Sequence, residues 1–190
     1  MICMTVETIA LVPHPAHPPV HVRGVAARVV SIDADWCVLR WKVDGAGAVI
    51  VPPFAGRART DRLWQATCFE MFVAHALSPE GGAHGYCEFN FAPSERWAAY
   101  DFAGYRDGMA ARAMARPPVI TPRRGGDVLF CDVAIAAGCL PPRPWRYGLT
   151  AVIEEGDGAK SYWAIAHGRD GPDFHDAACH AAWLAAPGWP

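Results

Sequence analysis

The chain has no excess of basic charge: 17 Lys and Arg face 19 Asp and Glu in 190 residues, a formal net charge of −2. Without a positive field there is no sequence-independent attraction to phosphate backbones, so a nucleic-acid partner is not expected. No apolar run reaches the ~20 residues of a membrane span before a charge, proline or glycine interrupts it, and no membrane partner is expected either. The opening stretch, Met1 to Val22, lacks a positive n-region and a convincing small-residue cleavage site, which predicts no export by the usual signal. Seven cysteines, an odd number without regular short-range spacing, argue against a disulfide framework and for buried thiols in a reducing cytoplasm. Also missing are a Gly-x-Ser-x-Gly elbow, a His-Glu-x-x-His pair and a Gly-rich phosphate loop, so the chemistries those motifs serve have no support.

What the chain has in quantity is punctuation and apolar surface. Seventeen prolines and 18 glycines suit many short strands and turns better than long helices. At 20.5 kDa and 52% hydrophobic, residues 1–190 are enough for one well-buried domain and few for two. Residues 1–19 form a Pro/His-rich arm expected to lie along a sheet edge, because proline lacks the amide donor of a central strand. His14, His17 and His21 in that arm lack the rigid scaffold of a selective metal site, and no metal ligand set is assigned elsewhere.

From Val25 onward the pattern is short and two-periodic. Strands are predicted over Ala26–Ile32, Trp36–Val43, Leu63–Ala74, Tyr86–Phe91, Val128–Ile135, Tyr147–Glu154 and Ser161–His167, with Gly-Asp-Gly at 156–158 turning the last pair into a hairpin. The Ala-rich tail, Asp176–Leu184, predicts a short C-terminal helical segment. The expected fold is all-β: a two-sheet antiparallel β-sandwich or jelly roll.

Three residues break the apolar pattern. Cys68, Glu70 and Phe72 share one strand face, and Tyr86, Glu88 and Asn90 share another, so Glu88 and Asn90 either reach solvent or contact a ligand, and Glu70 is either covered and paired or points into a pocket. In the paired alternative, Arg62 or another arginine is the charge partner of Glu70. Eight tryptophans exceed what this core needs, so some are expected at a recognition surface. Trp64 and Trp163 are the candidates, each near polar residues, whereas Trp36, Trp41 and Trp97 read as core. Indole faces stack on the C–H faces of sugars while carboxyls and amides bind hydroxyls, so the set suits a small polyhydroxy ligand.

LWQATCFEMFV followed by YCEFNFAPS resembles the DOMON-like sandwich domains and, more distantly, the family 9 carbohydrate-binding modules. SYWAIAH and PDFH, residues 161–167 and 172–175, look like the C-terminal blocks of the bacterial DOMON-like group. The matching pieces run from Arg62 to His175. The resemblance implies a ligand-binding sandwich, some of whose members bind sugar and others haem. By matching motif it places the clamping tryptophans on Trp64 and Trp163, the hydroxyl-binding glutamate on Glu70 and the basic residue on Lys160, with Asn90 a looser match.

The expectation is therefore a non-catalytic binding domain for a small polar ligand such as a sugar or sugar derivative, with Trp64, Glu70, Trp163, Lys160, Asn90, Glu88 and Arg62 at the site. No cofactor is required by this reading. Haem binding is an alternative, although Met71, Met109, Met114, His75 and His167 offer no spacing that selects an axial pair. A glycosidase-like enzyme using Glu70 and Glu88 is another, and it requires two carboxyls roughly 5–10 Å apart about the scissile bond. The number of subunits is left open.

Overall fold

Alternation shapes half of this protein and fails in the other half. The computed structural model describes residues 7–75, 85–168 and 170–187. Among them are twelve strands: β1 (Ile9–Pro13), β2 (Gly24–Ile32), β3 (Trp36–Asp44), β4 (Cys68–His75), β5 (Tyr86–Phe91), β6 (Trp97–Phe102), β7 (Ala110–Ala111), β8 (Val119–Gly125), β9 (Val128–Ala136), β10 (Trp145–Glu154), β11 (Lys160–Ala164) and β12 (Ala182–Leu184). All pairings are antiparallel, in the order β7-β6-β5-β4-β10-β11-β1-β2-β3-β9-β8, with β12 joining β10 beside its first residues. The predicted β-sandwich is what forms, and the 156–158 turn closes the β10–β11 hairpin as expected.

In β2, β3 and β9 every second side chain is buried and the rest are half-exposed, so this sheet has one wet face. In β5 all six side chains are buried, and in β10 nearly all are, so the other sheet is covered on both faces. One covered face meets the first sheet. There Trp41, fully buried, lies 5.6 Å from the Phe69 ring and 6.1 Å from that of Phe91, with Leu39, Met71, Phe89, Val133 and Leu149 packed around them. The second face, carrying Phe72, Tyr86, Tyr100, Phe102 and Val152, is roofed by Phe174 and Cys179 of the C-terminal segment.

Two expectations are corrected. The N-terminal arm does not keep to an edge: β1 pairs through Ile9–Leu11 with β2 and through Val12 and Pro13 with β11, so it joins the two sheets. Its prolines fall at or after the strand's last residue, where a missing amide costs no ladder bond. The arm is tied further by Glu155, a buried carboxylate that accepts backbone N–H bonds from Val20, His21 and Val22 at 2.9, 2.6 and 3.0 Å. The tail, expected as a helical segment, makes only a one-turn 3₁₀ helix, Ala177–Cys179, before β12. So short a helix has little stability of its own, and burying Cys179 and Leu184 against β10 wins over alanine's helical preference. Gly148 of β10 allows the approach, because a Cβ there meets the Cys179 carbonyl oxygen at 2.6 Å. Among the described residues no helix is long and apolar enough to cross a membrane.

Candidate functional site

The covered outer face of the β4–β5–β10 sheet is not sealed. Between it and the segments around Arg106 and Phe174 lies a cavity of about 310 Å³, lined among others by Trp64, Glu70, Glu88, Tyr100, Tyr162 and His175. That volume falls at the small end of ligand pockets. The floor follows from strand register: Glu70 stands opposite Thr150 on one side and Asn90 on the other, and Glu88 opposite Phe72, so both carboxyls emerge on one face.

Both glutamates are almost entirely buried, at 2% and 5% exposure. Glu70 does not pair with Arg62, which is exposed; among the described residues it accepts only the Thr150 hydroxyl, at 3.3 Å. Glu88 accepts the Asn90 amide at 2.5 Å, and its second oxygen lies 3.8 Å from Nε2 of His175. Burial, compounded by the charge of Glu88, holds Glu70 well above the usual carboxylate range, with Thr150 opposing. Glu88 is raised as well, again chiefly by burial, against the pull of Asn90 and Arg106. Two such neighbours do not ionise independently.

The imidazole beside them is held at both nitrogens. Tyr86 accepts the backbone N–H of Arg106 at 3.2 Å, and its hydroxyl lies 2.6 Å from Nδ1 of His175. Nε2 faces Glu88. Burial lowers the His175 pKa to about 4, so the ring is neutral at pH 7. At the rim, Arg106 is claimed by Asp173 at 2.8 Å, and Tyr105 bonds the same carboxylate, which latches the two cover segments together. Tyr100 donates to Asp61 at 2.6 Å while the Arg59 guanidinium stacks 5.1 Å from its ring.

Of the residues expected at the site, Trp64, Glu70 and Glu88 line this cavity. Asn90 lies buried beside them and holds Glu88. Lys160 stays outside and donates to the Gln65 carbonyl, fastening the turn that carries Trp64 to β11. Arg62 begins that turn in a left-handed conformation, φ 62°, and makes no contact with the floor. The expected pairing of Trp64 with Trp163 does not form. Trp163 is buried in the core between the sheets, with Nε1 donating to Ser161 at 2.8 Å, and its neighbour Tyr162 faces the cavity. Successive residues of a strand point to opposite faces, so a shift of one position exchanges core for site.

Tyr100, Arg106, Tyr162 and His175 are the lining residues with polar or charged groups that the sequence did not point to. Alternation counted from Glu88 through its cross-strand partner Tyr100 finds one of them, and Lys160–Ala164 counted from the buried Ser161 finds another. Nothing local marks Arg106, which sits at φ 52° in an irregular segment. Of the methionines and histidines weighed as haem ligands, Met71 lies in the core, His167 meets the Val12 carbonyl at 2.8 Å, and Met109 borders the cavity.

No family model matches the chain, and no curated protein matches it. Solved structures similar to it include two of a family 9 carbohydrate-binding module from Caldicellulosiruptor kristjanssonii. The complex with cellotriose is 9% identical, covering 83% of this chain and 71% of that chain at a TM-score of 0.46. The complex with glucose is 10% identical, covering 77% and 68% at a TM-score of 0.43. Likenesses this slight assign neither ligand nor residue role here.

Proposed function

We propose that this protein is a non-catalytic binding domain whose cavity takes a small polyhydroxy ligand, a sugar or sugar derivative of about one ring. The observation that carries the reading is the composition of the cavity: hydrogen-bonding carboxyls on the floor, aromatic faces of Tyr100, Tyr162 and Phe174 on the walls, and Trp64, 40% exposed, at the mouth. Carboxyls fix the direction of hydroxyl groups, and ring faces accept the apolar side of a pyranose. Sequence blocks in an order resembling the DOMON-like sandwiches support the same reading.

A glycosidase-like role has one supporting feature, the raised pKa of Glu70, a property of general acids. Against it, both carboxyls project from adjacent strands of one wall, whereas cleavage requires groups on either side of the glycosidic bond. Calorimetry of monosaccharides against wild type and Trp64→Ala tests the binding reading. Saturable binding weakened tenfold or more by the substitution is the expected result. Binding unchanged by the loss of Trp64, or hydrolysis of a chromogenic glycoside that Glu70→Gln abolishes, overturns it.

A further inference from the structure

The two buried carboxyls lack a counter-charge. Among the described residues, no Lys, Arg or His lies within 4.0 Å of Glu70, and Glu88 has only His175, at 3.8 Å. The guanidinium on the rim, Arg106, is already held by Asp173. Burying such groups as anions without a cation costs several kcal/mol, so each either keeps a proton or is ionised by a cation that binds beside it. One oxygen of Glu70 is bonded by Thr150, and the carboxyl lines the cavity.

The walls restrict what completes it. Phe72, Tyr100, Phe102, Tyr162, Phe174 and Trp64 surround the floor, and aromatic faces attract organic cations. A divalent metal is a poorer fit: among the described residues no group of three or more His, Cys, Asp or Glu is placed to hold one.

Building on the saccharide reading, we propose that the ligand is an amino sugar, its protonated amine seated between Glu70 and Glu88 and its ring against the aromatic walls. The ammonium supplies a full positive charge in contact with both carboxyls, which no described side chain does, and its three N–H donors match oxygens of both. Burial, which raises both carboxyls without such a ligand, and the charge of Glu88, which raises Glu70 further, are then offset by the cation.

Calorimetry with glucosamine, N-acetylglucosamine, glucose and 1,4-diaminobutane at pH 7 separates this idea from the reading beneath it. Glucosamine is expected to bind at least tenfold more tightly than glucose or N-acetylglucosamine, and the preference to disappear in Glu70→Gln. Glu88→Gln serves as the second variant, with circular dichroism to verify folding. Equal binding of glucose and glucosamine overturns the amine seat and leaves the saccharide site standing. Binding of diaminobutane without any sugar keeps the ammonium seat and overturns the saccharide reading. No binding by any of the four overturns both.

Discussion

Trp163 and Tyr162 are neighbours in the chain with opposite fates. The indole fills the space between the sheets, and the phenol lines the cavity, its ring 5.0 Å from that of His17 and 6.2 Å from that of Phe174. Substituting each by alanine separates folding from binding. Trp163→Ala removes a large ring from a close-packed interior and is expected to cost about 3–5 kcal/mol in chemical denaturation. Tyr162→Ala removes a half-buried ring and is expected to cost less stability while weakening ligand binding tenfold or more. The reverse order would mean that the faces of β11 are misassigned.

At the scale of elements, the protein depends on segments that hold other segments in place. β1 joins the sheets with only five residues, and the chain that follows it is secured by Glu155 rather than by a strand partner. Glu155→Ala leaves three backbone N–H groups without their acceptor, one of them fully buried. Hydrogen bonds to a charged group are each worth about 1.5–3 kcal/mol, so a loss of about 3 kcal/mol or more is expected. Protection of the Val20, His21 and Val22 amides in hydrogen exchange should fall with it. Unchanged exchange there would show that the arm is held by β1 alone.

Across the whole molecule the buried titratable groups set two opposing trends with pH. His175 and His180 titrate near pH 4 when folded, chiefly because burial disfavours their charged forms, and near the ordinary 6.5 when unfolded. Their contribution is complete above pH 6.5 and is lost as pH falls from there through about 4, since the unfolded chain takes up protons first. Glu70 and Glu88 act in the other direction. Their folded pKa values are raised, so their contribution is present below the ordinary carboxylate range and is lost as pH rises through the folded values. In the Glu70→Gln, Glu88→Gln double variant, which lacks the glutamate trend, melting temperatures are therefore expected to fall from pH 6.5 towards 4. Glu70→Gln should melt higher than wild type at pH 7–8 and close to it at pH 4. A gain of equal size at both pH values would show that Glu70 is not buried as a high-pKa acid.

The strands, their alternation and the polar departures at Glu70, Glu88 and Asn90 were legible in the sequence, because period-two patterning is a local property of a half-buried chain. Local alternation assigns residues to two faces and is silent on which face meets the other sheet. That choice came from distant pairings such as Thr150 with Glu70, 80 residues apart, and it put Tyr162 at the cavity and Trp163 in the core. The cover over the second face was equally hidden. Arg106, Phe174 and His175 come from irregular segments whose positions depend on what they pack against, so only the folded chain could make a cavity of them.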